Sequence, residues 1–568
     1  RIIIININTF FLLFIFINDV FVRTKRTTAY AASNLPNIVI IQPDDIPFFW
    51  PEKPKLGTSW NAQRYYETPA IDKLRTEGVT FLRAYGASST CAPGRYSVWT
   101  GRYPSRSKYS HEKMSACGWS SSANVDVKVR ATKIDSEVEA GIGKILQNVG
   151  YKTGAFGKWH LHEESGSSSW FTDELTKTIG TKYADAQSAV RSAGVDTAEG
   201  IYITNMDNDC DSNGLCAASL GFSHNAEWVT ASANAFIEET VNANASQPFF
   251  VMFTPTSPHS PDLSEAIDTI SVRQTPAGTL SSDPVSGMPS RTDQKARFNG
   301  ENTNRALGAA TVDMMVESLY KKLESLNVLD DTLIIFLMDN GQPGKQLSYE
   351  PGARIAMFAR YPKHSFFVAN STREGYVQNI DILPTIIEIT GAQIPSGFDV
   401  DGSSWLSNAG IDSVATSRAI YFQNNQDRAV VYKGYKLLRR YGDASYPSQT
   451  GCGYDGTSSD SRAANLYPSS TSAYQLYDLT NDEEEQTNLY ANSVYAEIQS
   501  ELQTLLACHE NATKYGGTAS YRTCSDSTTN SSIVPSPSAA PNLSPSASPA
   551  SRASLFRIPL LLLIVVCL

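Results

Sequence analysis

The chain has 568 residues, of which 18% are charged, and a formal net charge of -10 at pH 7. That is length enough for a large hydrophobic core and two or three domains. The acidic balance and the lack of a Lys/Arg block argue against nucleic acid as a partner.

The chain starts at Arg1 rather than Met, which reads as an incomplete or mispredicted start. Residues 2–22 are strongly apolar and rich in Ile and Phe. Arg23-Thr24-Lys25-Arg26 and then Ala29-Tyr30-Ala31, a small-x-small site, follow. This pattern predicts a secretory signal over residues 1–31. A signal anchor is the competing reading, because a basic run between the apolar stretch and the cleavage site is unusual. Asn37-Ile38-Val39-Ile40-Ile41 is an apolar, β-branched run that predicts a buried strand ending at Asp44-Asp45. Residues 68–78 predict a short helix, with Thr68 as cap, Pro69 at its first position and Gly78 as its stop.

After a small, polar run over 86–90 comes Cys91-Ala92-Pro93-Gly94-Arg95-Tyr96-Ser97-Val98-Trp99-Thr100-Gly101. Pro93 fixes its own φ and lacks a donor, so it suits the first turn of a helix and puts Cys91 just before that turn. Free N–H groups at a helix start favour an anion there. The planar fork of Arg95, one turn on, can reach the same anion. The alternative is a buried structural or disulfide Cys in a Pro/Gly loop.

Residues 135–149 predict a second helix closed by Gly150, and 151–156 a strand that delivers Gly157-Lys158-Trp159-His160. Residues 166–223 have little periodicity and read as a surface excursion. A helix over 227–241 and a buried strand over 248–253 lead to Ser257-Pro258-His259. Residues 261–300 again read as irregular. A long amphipathic helix over 304–326 precedes a very apolar strand over 331–338, which ends at Asp339-Asn340-Gly341. Alternating strands and helices imply an α/β fold with a mostly parallel sheet flanked by helices. The polar clusters recur just past the strand ends, where open α/β sheets place their sites.

From about residue 419 the pattern changes to short strand-like runs, at 419–422, 428–432, 435–438 and 475–479, followed by a helix over 494–508. These predict a smaller antiparallel sheet packed by a helix. Residues 525–554 are rich in Ser, Pro, Thr and Ala and read as a disordered, O-glycosylated stalk. The apolar tail over 555–568 is shorter than the about 20 residues that span a bilayer. It resembles a glycosylphosphatidylinositol signal, the membrane-anchoring reading of this end. Besides Cys91 and Cys567, six cysteines suit three disulfides: Cys117, Cys210, Cys216, Cys452, Cys508 and Cys524. Cys210 with Cys216, and Cys508 with Cys524, could close local loops; the pairing itself is not readable. Glycosylation sequons stand at Asn244, Asn370, Asn511, Asn530 and Asn542.

Cys-x-Pro-x-Arg, four residues and then Thr-Gly resembles the modification motif of the type I sulfatases. Four further clusters resemble the family: Asp44-Asp45 with Asp339-Asn340, Gly150-Tyr151 through His160, Ser257-Pro258-His259, and Lys345 before Tyr349-Glu350-Pro351-Gly352-Ala353-Arg354. In the last, Pro351 replaces a glycine of the family pattern. Asp381-Ile382-Leu383-Pro384-Thr385 and Leu476-Tyr477-Asp478-Leu479 are similar too, so the resemblance runs over residues 37–506. It implies an alkaline-phosphatase-like fold, with a catalytic domain over 34–410 and a C-terminal α+β subdomain over 411–510. It implies that Cys91 is oxidised during secretion to Cα-formylglycine by the formylglycine-generating enzyme, and that a hydroxyl of its hydrate attacks a sulfate ester.

Asp44, Asp45, Asp339 and Asn340 offer only oxygen donors, which suits a hard cation. The family holds a divalent cation there, usually Ca²⁺, beside the modified Cys91. The resemblance gives Arg95 and Lys158 to sulfate oxygens, and His160 to proton removal in the second step. It gives His259 to the leaving group, and Lys345 to sulfate and leaving-group oxygens. His162 lies nearby but outside the motif. The substrate expected is a sulfated small molecule or a sulfated polysaccharide, met outside the cell, at its surface or in a lysosome-like compartment. The competing readings are a phosphate or phosphonate ester hydrolase of the same superfamily, and a non-catalytic sulfated-glycan-binding surface protein with an unmodified Cys91.

Overall fold

The computed structural model describes residues 35–46, 68–108, 141–161, 179–202, 224–259, 263, 267, 271–298, 304–342, 344–408, 410–414, 417–424, 427–440, 472–513 and 524. Eight strands form the central sheet: β1 (Asn37–Ile41), β2 (Val79–Tyr85), β3 (Lys152–Lys158), β4 (Thr197–Tyr202), β5 (Phe249–Thr254), β8 (Thr332–Leu337), β9 (Met357–Arg360) and β10 (Ser371–Gln378). Between β5 and β8, β6 (Gln274–Thr275) and β7 (Gly278–Thr279) make a separate two-stranded hairpin. The order is β10-β2-β9-β8-β1-β5-β3-β4. Only β9 runs antiparallel to its neighbours, so the sheet is mostly parallel, as the alternating pattern predicts. β1, β5 and β8 sit side by side at its centre, and every residue of the three is buried. Strands covered on both faces read as unbroken apolar runs, which is why all three are visible in the sequence.

The flanking helices are α1 (Pro69–Thr76), α2 (Cys91–Thr100), α3 (Ile142–Gln147), α4 (Ile179–Ser192), α5 (Ala226–Ala243), α6 (Arg291–Arg297), α7 (Asn304–Ser325), α8 (Glu350–Ala353) and α9 (Ile382–Thr390). α1 begins with Pro69 as predicted, but the Thr68 side chain makes no capping bond. Asp313 of α7 does that work instead, accepting from the Ile71 N–H at 2.8 Å. In α2, Cys91 is the first helical residue rather than the one before the turn, with Thr90 in the capping position and Gly101 closing the helix at φ 66. α3 covers 142–147 of the predicted second helix, and residues 135–140 lie outside the described ones.

Two segments expected to be irregular contain regular elements among their described residues. Residues 166–223 contain α4 and the edge strand β4. β4 pairs only with β3, with a shift of register, and Gly200 at φ 57 interrupts its pattern. A strand that opens with Thr, Ala, Glu and Gly and ends in Ile201 and Tyr202 has no long apolar run to announce it. Residues 261–300 contain the β6–β7 hairpin and α6, whose N-cap Ser290 accepts from Asp293 N–H.

The second sheet is antiparallel, β11 (Ile420–Asn424), β12 (Asp427–Tyr432), β13 (Tyr435–Arg439) and β14 (Tyr474–Asp478), in that order. One face, with Tyr421, Val430, Leu437 and Leu476, packs on Leu502, Leu505 and Leu506 of α10 (Ala496–Thr513). The other, with Phe422, Ala429, Val431, Leu438 and Tyr477, meets Tyr85, Tyr349 and Tyr376 from the central-sheet side. Cys508 and Cys524 form a disulfide.

The signal over 1–31, the stalk over 525–554, the tail over 555–568, Cys117, Cys210, Cys216, Cys452, Cys567, Asn530, Asn542 and His162 lie outside the described residues. No described helix is long and apolar enough to cross a membrane.

Candidate active site

Parallel strands end on one side of a sheet, and the predicted site residues gather there. Asp44 and Asp45 follow β1, Lys158 ends β3 and His160 lies two residues on, His259 follows β5, and Asp339 and Asn340 follow β8. The start of α2 brings Cys91 and Arg95 to the same place. Gly94 allows this approach, because a Cβ on it would lie 2.5 Å from the Asp339 carbonyl oxygen.

Asp44 is the hub. The Cys91 thiol donates to its Oδ1 at 3.4 Å, Arg95 Nη2 lies 3.6 Å from the same oxygen, and Lys158 Nζ donates to its Oδ2. Asp45, turned into the left-handed region at φ 59, aims its carboxylate elsewhere. Lys345 Nζ donates to Asp45 Oδ2 at 2.7 Å, His259 Nε2 is 3.7 Å away, and Asn340 Nδ2 donates to Oδ1 at 3.2 Å. Arg95 Nη2 also donates to Asp339 Oδ2 at 3.4 Å, and Asn340 Nδ2 lies 3.6 Å from Cys91 Sγ. Nine of the ten predicted residues are thus joined by direct contacts. The tenth, His160, is buried within electrostatic reach of Lys158, Arg95 and Asp44. It holds a left-handed φ of 57, and its Nδ1 has no hydrogen-bond partner among the described residues.

Burial is the largest single influence on each proton affinity here, and at Asp44 and Lys345 the neighbouring charges together outweigh it. Burial works to raise Asp44, but Lys158, His259, Arg95 and Lys345 outweigh it and hold the carboxyl well below its usual range. Burial and then Asp44 push Asp339 up to about 8. Burial, Lys158 and Arg95 push His160 well below the usual imidazole value, so it is neutral at physiological pH. Burial opposes the charge of Lys345, yet Cys91, Asp45, Asp44 and Asp339 keep it protonated well above the ordinary amine range. Burial and Asp44 raise the Cys91 thiol. A neutral imidazole next to three fixed cations can accept a proton while the cations hold an anion.

One ligand atom from each of Asp44, Asp45, Cys91 and Asp339 lies within 4.8 Å of the others. Three carboxylates converging in a buried place repel one another, and a hard divalent cation relieves that repulsion with oxygen ligands alone. Asn340 adds an amide oxygen at the same strand end. The donor set fits such an ion.

The sequence reading did not single out three features of the surroundings. The hydroxyls of Ser88 and Ser89, just before α2, are buried without a hydrogen-bond partner among the described residues. His224 Nδ1 lies 2.8 Å from Thr256 Oγ1, and the Thr256 carbonyl accepts from the His259 N–H at 3.1 Å. The loop carrying Lys345 is tied to the second sheet: Asn424 Nδ2 donates to Gln346 O at 2.8 Å, Ser348 Oγ to Asp427 at 2.9 Å, and Tyr349 OH to Gln475 at 2.9 Å. No motif spacing carries such pairs, whose partners stand far apart in the chain.

A family model described as Sulfatase matches residues 36–392. An N-acetylglucosamine-6-O-sulfatase of Bacteroides thetaiotaomicron is 23% identical over 526 residues, covering 83% of this chain and 85% of that one. Arylsulfatase G of Rattus norvegicus is 24% identical over 447 residues, covering 71% and 74%. A solved Bacteroides thetaiotaomicron structure, described with the metabolism of multiple glycosaminoglycans, superposes with a TM-score of 0.57 at 21% identity, covering 84% of this chain and 100% of that one. At such identity the structural likeness shows the fold, the alkaline-phosphatase-like architecture that the motifs imply.

Proposed function

Starting from the sulfatase family, to which this chain belongs as a sulfuric ester hydrolase, we propose that the nucleophile is made from Cys91. The observation that carries this reading is the position of Cys91. It opens α2 with its thiol 3.4 Å from Asp44, among three carboxylates and beside Arg95 and Lys158. A formylglycine at this position, as its hydrate, would supply the attacking oxygen, and a Ca²⁺ held by Asp44, Asp45, Asp339 and Asn340 would favour its ionised form.

The chain's own side chains do the rest. Arg95, Lys158 and Lys345 bind the sulfate oxygens, and three cations around them fit the charge of a sulfuryl transition state. His259, beside Asp45, gives its proton to the leaving oxygen. His160, neutral through burial and its cationic neighbours, takes a proton from residue 91 as sulfate departs. The names of the relatives support a sulfated sugar or another sulfated small molecule as substrate. The apolar start, sequons and Ser/Pro-rich stalk support a route through the secretory pathway, where the formylglycine-generating enzyme would act, and the short tail supports attachment to a membrane. A catalytic domain over 34–410 and a C-terminal subdomain over 411–510 complete the reading.

The test is turnover of 4-nitrophenyl sulfate against 4-nitrophenyl phosphate by chain made together with the formylglycine-generating enzyme. Faster hydrolysis of the sulfate is expected. A preference for the phosphate would assign the site to phosphate esters, and no turnover of either by aldehyde-bearing chain would favour a binding protein.

A further inference from the structure

Lys345 is held at Asp45 by a loop whose next residue is in an unusual conformation. Gln346 has φ 68, the left-handed region that a residue with a Cβ adopts only when its surroundings insist. Two hydrogen bonds hold that residue. Its N–H donates to the carbonyl of Ser89 at 3.0 Å, two residues before Cys91, and its carbonyl accepts from Asn424 Nδ2 at 2.8 Å.

Asn424 ends β11 in the second sheet and is 4% exposed. The same Nδ2 lies 3.5 Å from Ser348 Oγ. Facing its amino group this way leaves Asn424 Oδ1 buried without a partner among the described residues. An orphaned buried acceptor is costly. Turning the amide over would set two carbonyl oxygens against each other, so the donor is committed to the loop. The neighbouring Gln423 N–H donates to Ala87 O at 2.9 Å, which fixes the end of β11 against the segment leading into α2.

We propose that Asn424 is a positioning residue for Lys345, acting through the backbone of Gln346. The second sheet thereby sets the reach of a sulfate-binding amine that belongs to the central sheet. Without the Asn424 donor, Gln346 returns to the right-handed or extended region. The peptide after Lys345 then rotates, and Nζ leaves Asp45. This inference rests on the reading of Lys345 given above.

The test compares Asn424→Ala, Asn424→Ala with Gln346→Gly, Lys345→Ala, and Asn424→Ala with Lys345→Ala, each in the full chain. The readouts are kcat and KM for 4-nitrophenyl sulfate and the affinity for inorganic sulfate. Asn424→Ala is expected to lower kcat/KM about tenfold, the scale of one hydrogen bond. Glycine at 346 adopts the left-handed conformation freely and restores most of that loss. In the Lys345→Ala background the Asn424→Ala change has no further effect on activity or on sulfate affinity. Full activity in Asn424→Ala, a loss that Gln346→Gly does not restore, or losses that add to those of Lys345→Ala would each overturn the inference and leave the role of Lys345 intact. Full activity in Lys345→Ala would instead remove the premise, and the inference with it. If Asn424→Ala does not fold, Asn424→Ser, which keeps a donor but cannot reach Gln346, carries the same readings.

Discussion

His160 and His259 sit on the same side of one sheet in different surroundings, and the difference assigns their tasks. His160 is buried and held neutral by burial, Lys158 and Arg95, while the His259 side chain is 11% exposed and faces Asp45 across 3.7 Å. If His160 acts after the alcohol has left, His160→Ala should release one burst of alcohol and then turn over very slowly, because departure of sulfate stalls. His259→Ala should show no burst. Its defect should be largest for sugar alcohols, which need a proton to leave, and smaller for activated phenols. Rapid-mixing measurement of alcohol release checks both, and a burst in both variants or in neither contradicts the assignment. Lys158 and His160 were legible in the sequence because they fall in one short motif at a strand end. Asn424 was not, because it meets Gln346 across 78 residues and through a backbone carbonyl, which any residue possesses.

Helix α1 shows how an element can be legible while its support is not. Pro69 and Gly78 announce the helix, but the buried N–H of Ile71 in its first turn is met by Asp313, 242 residues away. Burial pushes Asp313 up to about 7, with the N–H groups of Ile71 and Ala70 opposing. A carboxyl whose pKa is raised on folding contributes stability that is complete below its unfolded value of about 4 and is lost as pH rises through about 7. Asp313→Asn keeps an acceptor for Ile71 and does not titrate. Denaturant unfolding should therefore show wild type losing up to about 4 kcal/mol against the Asn variant between about pH 4 and pH 8. Parallel profiles for the two proteins would contradict this account of the cap. α4 and β4 escaped the sequence reading for a different reason. β4 opens with Thr, Ala, Glu and Gly and so carries no long apolar run, although four of its six residues are buried, and α4 mixes Gly, Asp and Ser with its apolar residues.

At the scale of the molecule, the two sheets meet at the loop that carries the site. Lys436 of β13 is buried with Nζ 3.1 Å from Glu350 Oε1 and 2.8 Å from Glu485 Oε1, and the Glu350 N–H donates to Glu485 at 2.6 Å. Glu350 opens α8, five residues after Lys345, so this buried ion pair locks the loop to the second sheet from one end as Asn424 does from the other. Alternating strands and helices made β1, β3, β5 and β8 of the first sheet readable but not β2, β4, β9 and β10, and closely spaced short strands made the second sheet readable. Their contact was not, because it is built from single side chains that periodicity does not mark. The central claim is that residue 91 is an aldehyde in the working enzyme. Mass spectrometry of the tryptic peptide over residues 84–95, from chain that hydrolyses 4-nitrophenyl sulfate, tests it most directly. The account predicts a peptide whose Cys91 has lost its sulfur and carries an aldehyde oxygen, and an intact thiol at Cys91 throughout fully active protein would contradict it.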